Sequence, residues 1–275
     1  MVGGRSSRLD SDVVDRYLAR VGLSTSDHSL EELQLAHVRS IPFENLDVRL
    51  EREVRLDVPS LVARLIDGRR GGYCFEQNTL YAAVLEALGF TVTRCVGRVR
   101  LDDERSPRPA SHMALIVEEQ LVDVGFGAAN PLGPIPLGGE ATYGPYTWSV
   151  ERTTSPEGEQ AWMVRLFEMA LYTLTETPQH AVDYVAPNHL ASTHPSSIFT
   201  RNTIVQRWDE NDVQVGLVDL GLTRRLPDGT IETRTIDPAD LGPTLESRFR
   251  LALSEDDVAR LSALHSPGQP VTPSG

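Results

Sequence analysis

The chain has 275 residues, of which 40% are hydrophobic and 24% are charged, and its formal net charge is −13. This length allows one large domain, or two or three small ones that each have a core. The negative charge argues against a nucleic-acid partner, because phosphate contacts need a basic surface. No apolar run approaches the roughly 18 residues of a membrane helix, so we expect no membrane partner.

The N-terminus and the cysteine content favour a cytoplasmic location. Residues 1–7 lead into polar sequence and lack the apolar core of a signal peptide. The chain has two cysteines, which do not make a disulfide framework at this length. A reducing compartment is therefore the simpler interpretation.

The first third of the chain predicts helices. Ser29 and Glu32 form a capping-box pattern ahead of an apolar run. Asp57 is placed to cap a further helix that has Pro59 in its first turn. Residues 41–47, IPFENLD, predict a connection between the two, because proline disfavours helix in the residue before it.

The most distinctive stretch is residues 69–78, RRGGYCFEQN. Its two glycines allow a tight backbone path, and Cys74 then opens an apolar-periodic run that ends at Gly89. The free N–H groups and the dipole at a helix start favour an anion, so the thiolate, which is the nucleophilic form, should be favoured there. The alternative is that Cys74 is a buried, inert cysteine that packs as a small hydrophobic residue.

After Gly89 the pattern changes to short apolar runs between turn residues. Such runs predict an antiparallel sheet or barrel. They occur at residues 113–117, 121–124, 146–150 and 161–167, and the stretch before them, residues 90–101, is rich in Val, Thr and Arg.

The last part of the chain predicts a mixture of strands and helices. The predicted features are, in order, a turn-rich junction at 191–196, strands at 204–208 and 213–220, a hairpin turn at 227–229, and a helix capped by Ser254 with Asp257. The tail from Ser266 is rich in Pro, Gly and Ser, and we expect it to be disordered.

A base and a carboxylate are available on two adjacent predicted strands. His112 opens the first strand, and Asp123 lies among hydrophobic residues in the second, where an ionised carboxylate is unfavourable without a partner. A carboxylate could orient the imidazole and stabilise the imidazolium, which in turn favours a thiolate. The alternative is that Asp123 is a buried structural carboxylate and His112 an ordinary strand-end residue.

The register of this predicted hairpin decides whether His112 and Asp123 meet. A two-residue turn at Glu118 and Glu119, or a four-residue loop, places both side chains on one face, about 7–8 Å apart between backbones, which an imidazole can bridge. A three-residue loop would place the histidine on the opposite face. Because Glu-Glu is unfavourable in a two-residue turn, we predict the four-residue loop.

Residues 125–127, GFG, follow Asp123 directly. They are not a dinucleotide fingerprint, because a third glycine and a following helical pattern are missing. They are either a simple glycine turn or a place where a substrate approaches the backbone closely, with Phe126 as an apolar wall.

Taken together, these segments resemble the arylamine N-acetyltransferase family. They occur in the family's order over roughly residues 12 to 200, and the cysteine segment with the DVGFG segment is highly specific. The connection between His112 and Asp123 is shorter than in many relatives, and the chain beyond residue 200 matches little. The matching segments are 41–47 (IPFENLD), 70–78 (RGGYCFEQN), His112, 121–127 (LVDVGFG) and 192–195 (STHP).

The resemblance implies a catalytic triad of Cys74, His112 and Asp123 and a ping-pong reaction. Acetyl-CoA acetylates the cysteine, and an arylamine, arylhydroxylamine or hydrazine then takes the acetyl group, as in xenobiotic metabolism. No metal is implied. The residues implied to bind the acceptor substrate are Phe43, Val99, Gly125, Phe126 and Phe199.

The resemblance also implies an α+β fold in three parts. These are an N-terminal helical bundle (1–89), a central antiparallel β-barrel (90–190) and a C-terminal α/β lid (191–275). The residues that contact CoA and the oligomeric state, a homodimer included, are left open.

Three other functions share these side chains. A family member that closes macrolactams in ansamycin-type antibiotic synthesis would pass an acyl chain from a carrier protein to an aryl amine through the same triad. A papain- or transglutaminase-like enzyme uses the same three side chains, but the flanking segments argue against it. A non-catalytic binding protein predicts that Cys74→Ala changes nothing measurable.

Overall fold

The computed structural model describes residues 9–24, 27–101, 103–127 and 129–265. Helices come first in the chain, and two antiparallel sheets of eight and five strands follow. The predicted α+β class is confirmed, whereas the exact boundaries of the three parts stay a prediction. The predicted disorder from Ser266 onward falls outside the described residues.

The N-terminal part is helical and contains one very short strand. Its elements are α1 (Ser11–Val21), α2 (Leu30–Ser40), β1 (Phe43–Glu44), α3 (Leu46–Arg49), α4 (Val58–Leu61) and α5 (Cys74–Leu88). The predicted capping box is confirmed, since Ser29 and Glu32 bond each other's backbone N–H at the start of α2. Asp57 likewise caps α4 by accepting from the Ser60 N–H, and α4 continues as a π-helix over Val62–Asp67. None of the described helices is long and apolar enough to span a membrane.

The helix α5 is the centre of the helical part. It contacts α1, α4 and the barrel, so it is buried almost all round rather than along one stripe. Within the predicted apolar-periodic run, Tyr81, Val84 and Leu85 are fully buried, while Leu88 at the end is 40% exposed. Gly89 ends the helix with φ +103°, a left-handed conformation that glycine adopts without strain.

The eight-stranded sheet is nearly closed into a barrel. Its strands are β2 (Val92–Val99), β3 (His112–Val117), β4 (Gln120–Val122), β5 (Ile135–Pro136), β6 (Glu140–Tyr143), β7 (Tyr146–Thr154), β8 (Gln160–Leu166) and β9 (Met169–Leu174). Their order is β5-β4-β3-β2-β9-β8-β7-β6, so the two edge strands are neighbours in sequence. The three residues 137–139 join these edges, which brings the ends of the sheet together.

The five-stranded sheet belongs to the C-terminal part but takes its first strand from the N-terminal part. The remaining elements are α6 (Val185–Thr193), α7 (Ile198–Arg201), β10 (Ile204–Trp208), β11 (Gln214–Val218), β12 (Gly221–Arg225), β13 (Ile231–Thr235), α8 (Leu241–Phe249) and α9 (Glu255–Ala263). The strand order is β1-β10-β11-β12-β13. Phe43 pairs with Gln206 across the β1–β10 junction, so the IPFENLD segment is fixed between both parts.

The hairpin formed by β3 and β4 has the predicted register but not the predicted loop, and Asp123 directly follows β4 instead of lying within it. Val117 pairs with Gln120, so the connection is a two-residue turn and the four-residue loop was wrong. Glu118 and Glu119 have φ of 50° and 64°, as a type I′ turn requires. Strand pairing imposes this turn against the residues' own preference, and both glutamates stay exposed, so their charges remain hydrated.

The predicted turn-rich junction at 191–196 was partly wrong, because residues 191–193 form the end of α6. The helix ends at Thr193, and the backbone of the next residue, His194, is extended with ψ 132°. Pro195 follows, and a proline disfavours helix in the residue before it.

A chain of buried hydrogen bonds connects the helices to the loop before α5. The Gln77 amide nitrogen donates to the carbonyls of Pro42 and Gly72, so its oxygen is the acceptor for His37 Nε2–H at 2.7 Å. His37 Nδ1 then accepts from the Tyr17 hydroxyl at 2.8 Å. Burial lowers the pKa of His37 to about 4, although the bond to Gln77 opposes this shift. The ring is therefore a neutral connector.

We expect this histidine to make folding stability sensitive to mild acid. Between its folded pKa of about 4 and the ordinary value near 6.5, only the unfolded chain takes up the proton, so stability falls as pH falls through that window. Urea titrations at pH 7.5 and pH 5 should show wild type losing about 2 kcal/mol more than His37→Gln. Equal losses in the two proteins would contradict a neutral buried ring.

Candidate active site

Cys74 is the first residue of α5 and is 4% exposed. The loop before it runs too close to its neighbours for side chains. A Cβ on Gly71 would lie 2.0 Å from the Pro42 carbonyl oxygen, and one on Gly72 would lie 2.8 Å from Glu76 Cβ. The glycines thus permit the loop to pack against the IPFENLD segment, which sets where the sulfur lies.

Five charged side chains hold this loop in place. The fully buried Glu44 pairs with Arg70 at 2.8 Å and Arg64 at 3.1 Å, and Arg64 also pairs with Glu76 and Asp47. Burial alone would raise the pKa of Glu44, but the two guanidinium groups lower it to about 2. Burial raises the pKa of Glu76 to about 7 despite Arg64. Removing one partner would leave a buried charge uncompensated.

The predicted contact between His112 and Asp123 is present. His112 Nε2 lies 2.6 Å from Asp123 Oδ2, and the two residues are 2% and 0% exposed. Cys74 Sγ lies 3.8 Å from the carbonyl oxygen of Ser111, the residue before the histidine. Because Nε2 is bonded to the carboxylate, Nδ1 is the ring nitrogen left for the sulfur. The structure thus brings the three side chains together, and their catalytic roles stay a prediction.

The electrostatics of the pair favour an imidazolium and a carboxylate. Burial alone would lower the pKa of His112, but the charge and hydrogen bond of Asp123, with smaller contributions from Cys74, raise it to about 10. Burial alone would raise the pKa of Asp123, but His112 lowers it, with help from hydrogen bonds of Asn78 and the Gly125 N–H. An imidazolium beside the sulfur stabilises a thiolate.

Four donors converge on Asp123. Oδ1 accepts from Asn78 Nδ2 at 2.9 Å and from the Gly125 N–H at 2.8 Å. Oδ2 accepts from His112 at 2.6 Å and from the Tyr172 hydroxyl at 2.9 Å. With both oxygens doubly occupied, the carboxylate has one orientation and holds the imidazole in one tautomer.

Sequence reasoning missed three residues that support the pair. Asn78 lies four positions after Cys74 and so on the same face of α5, a spacing that could have revealed it. Tyr172 comes from β9, and Gly97 pairs with His112 from β2, where a Cβ would lie 3.4 Å from the histidine ring. Strand pairing alone brings these two residues to the site, so no local signal marks them.

Phe126 forms one aromatic wall of the site. Its ring centroid lies 5.1 Å from that of His112 and 5.0 Å from that of Tyr172. Val99 pairs with Tyr172 across β2 and β9 and is partly buried, which places it on this side of the site. The roles of Phe126 and Val99 in acceptor binding stay predictions.

The other predicted substrate-binding residues lie on the helix side. Phe199 stacks on Tyr73 with centroids 5.2 Å apart and planes 13° apart, and lies 6.0 Å from Phe43. Gly125 lies against the backbone of Cys74, since a Cβ there would be 2.7 Å from Cys74 Cα. Two aromatic groups thus flank the sulfur, one beside the histidine and one beside the start of α5.

Cys74 is 4% exposed, so little of the residue reaches solvent. Three cavities of about 850, 810 and 490 Å³ in the described part of the chain are lined by residues other than Cys74, His112 and Asp123. Phe126 and Phe199, which flank the sulfur, are only partly buried.

Cys95 and the possible metal-binding side chains are less suited to catalysis than this site. Cys95 is fully buried, and burial raises the pKa of its thiol to about 12, so it is a poor nucleophile at neutral pH. Within the described ranges no group of three or more His, Cys, Asp or Glu side chains is arranged to hold a metal ion. Cys74, His112 and Asp123 together form the side-chain set found in enzymes that transfer acyl groups through a thiol.

Comparisons with known proteins identify the family to which the chain belongs. A family model described as N-acetyltransferase matches residues 28–258. The arylamine N-acetyltransferase of Escherichia coli (strain K12) is 30% identical over 263 residues, which cover 88% of this chain and 90% of that protein. The solved structure of the arylamine N-acetyltransferase from Mycobacterium abscessus matches with a TM-score of 0.83 at 32% identity, covering 91% of this chain and 94% of that one.

The arylamine N-acetyltransferase of Mycobacterium marinum, solved in complex with CoA, matches with a TM-score of 0.82 at 29% identity, covering 91% of this chain and 97% of that one. The chain therefore belongs to the arylamine N-acetyltransferase family and is a transferase.

Proposed function

We propose that the protein transfers an acetyl group from acetyl-CoA, through a thioester on Cys74, to an arylamine, arylhydroxylamine or hydrazine by a ping-pong mechanism. The observation that carries the proposal is the 2.6 Å hydrogen bond between His112 and Asp123 beside the sulfur at the start of α5. Membership of the family supports acetyl transfer, and the CoA complex of the M. marinum relative supports the donor. The proposed setting is xenobiotic metabolism in the cytoplasm.

In the first half-reaction the Cys74 thiolate attacks the carbonyl carbon of acetyl-CoA. The new carbon–sulfur bond forms as the bond to the CoA sulfur breaks, and the His112 imidazolium gives its proton to the leaving CoA thiolate. Asp123 keeps the ring in position and stabilises its positive charge. Attacking and leaving groups are both thiolates, so the exchange needs no metal.

In the second half-reaction the acceptor nitrogen attacks the acetyl carbon on Cys74. His112, now neutral, takes the proton from that nitrogen, and the cysteine thiolate leaves. The products are the N-acetylated amine and the original ion pair of thiolate and imidazolium. Arylamines suit this step because they are mostly unprotonated at neutral pH.

Intact-protein mass spectrometry tests the proposal. Wild type mixed with acetyl-CoA should gain the mass of one acetyl group, which peptide mapping should place on Cys74. Adding an arylamine should remove the group and yield the acetylated amine. The replacement Cys95→Ala should leave this behaviour unchanged, whereas Cys74→Ala should abolish it.

Two results would overturn the proposal. One is an acetyl group that maps to any residue other than Cys74. The other is an enzyme that stays unmodified by acetyl-CoA but accepts an acyl chain from a carrier protein, which would favour the macrolactam-forming function instead.

A further inference from the structure

One buried amide side chain holds the segment that carries Phe199. Asn45 is 1% exposed, and its Nδ2 donates to the carbonyl oxygens of Phe199 and Asn202, both at 2.7 Å. Its Oδ1 accepts from the Ile204 N–H at 2.7 Å, and its own N–H donates to the Ile204 carbonyl at 3.3 Å. Both N–H donors of the side-chain amide and its oxygen are thus bonded to residues 199–204.

The segment needs such an anchor. The helix α7 is only four residues long, and so short a helix has little stability of its own. Arg49 adds a hydrogen bond to the carbonyl of Thr200, and Ser197 caps the helix by accepting from the Phe199 N–H. Of these anchors, Asn45 is the one that bonds the Phe199 carbonyl itself, and it lies in the IPFENLD segment two residues after Phe43.

The anchored residue, Phe199, packs beside the residue that precedes Cys74. The Phe199 ring stacks on Tyr73, the residue directly before Cys74, and faces Phe43. The Tyr73 ring cannot yield easily, because Tyr73 is fully buried and its hydroxyl bonds Asn188. The distance between the Phe199 ring and the sulfur is therefore decided by where the Phe199 backbone is held.

We propose that Asn45 is a positioning residue that, by holding the Phe199 carbonyl, sets how bulky an acceptor can reach the acetylated Cys74. This inference rests on the proposed function. An aromatic wall held at one distance contacts a one-ring amine well and obstructs a larger one, so loosening the wall should weaken selection between them.

The test is a comparison of acceptors in a double-mutant cycle. We expect Asn45→Ala to raise the ratio of kcat/KM for aminofluorene to that for aniline by about fivefold. The rate of CoA release in the first half-reaction should stay within about twofold of wild type, a split that general damage would not produce. In a Phe199→Ala background the same replacement should change the ratio less than about twofold, because Asn45 acts through that residue.

The matched control is Asn202→Ala, which removes a 2.7 Å side-chain bond to Asp219 from the same segment but leaves the Phe199 carbonyl bonded. Its acceptor ratio should equal that of wild type. The variant Asn45→Ser serves beside Asn45→Ala, with thermal unfolding as the check on folding.

Three results would overturn the inference. They are an unchanged ratio in both Asn45 variants, an equal change with and without Phe199, and failure of both Asn45 variants to fold while Phe199→Ala folds. Failure of the proposed function itself would be visible earlier, because wild type would then not release CoA or acetylate either amine.

Discussion

Replacing Asp123 by asparagine should slow acetyl-enzyme formation by about 10⁴-fold, as the corresponding change does in a Ser-His-Asp triad. Four donors point at the two carboxylate oxygens, and an amide offers only one acceptor oxygen. The NH₂ group of the new asparagine would then face two other donors, either those of His112 and Tyr172 or those of Asn78 and Gly125. Burial would then lower the pKa of His112 without the opposing charge, so the ring would be neutral at pH 7.

The measurements are the rate of CoA release and the titration of the His112 ring by NMR. The control is Asp257→Asn, because Asp257 is also a buried carboxylate but pairs with Arg52 outside the site. It should keep its rate within about twofold of wild type. An Asp123→Asn protein with more than about a tenth of the wild-type rate would show that the carboxylate is structural.

The second large effect is expected for Gly125→Ala. A Cβ at this position would lie 2.6 Å from Asn78 Nδ2 and 2.7 Å from Cys74 Cα, closer than atoms tolerate. Either the start of α5 or the amide that orients Asp123 must move. Misplacement of reacting groups by about 1 Å lowers rates on the order of 100-fold, and overpacking costs about 1–3 kcal/mol of folding stability.

The rate of CoA release and urea unfolding measure the two consequences separately. The matched control is Gly216→Ala on β11, where the nearest atom to the added Cβ would be 3.9 Å away. It should leave both quantities close to wild type. If Gly125→Ala keeps more than half of the wild-type rate, the close approach to Cys74 has no bearing on the reaction.

Local signals in the sequence were sufficient for much of the framework. Ser29, Asp57 and Ser254 cap helices as predicted, and residues 227–229 lie in the connection between β12 and β13. Caps and tight turns depend on hydrogen bonds between residues a few positions apart, so neighbouring residues carry the information.

The contact between His112 and Asp123 could also be predicted from the sequence. Side chains alternate between the two faces of a strand, so only two registers had to be weighed, and the observed pairing of Val117 with Gln120 is one that joins them. The loop prediction failed because it used the turn preference of Glu118 and Glu119, which the buried strands override.

Contacts between segments far apart in the chain could not be predicted from the sequence. Nothing near Phe43 indicates that it begins a strand paired with β10, and nothing near Tyr172 indicates its bond to Asp123. The stacking of Phe199 on Tyr73 joins residues more than a hundred positions apart. These contacts follow from how the barrel closes and how the second sheet pairs with β1, and a single sequence holds no local trace of either.

By itself, then, the sequence determined the candidate side chains for the chemistry and most of the helices and strands that present them, because capping, turns and side-chain alternation act over a few residues. Only the tertiary structure decided what orients the carboxylate, what covers the sulfur and what holds the aromatic wall. Those outcomes depend on packing between segments far apart in the chain, where the geometry of the whole fold overrides the preferences of single residues.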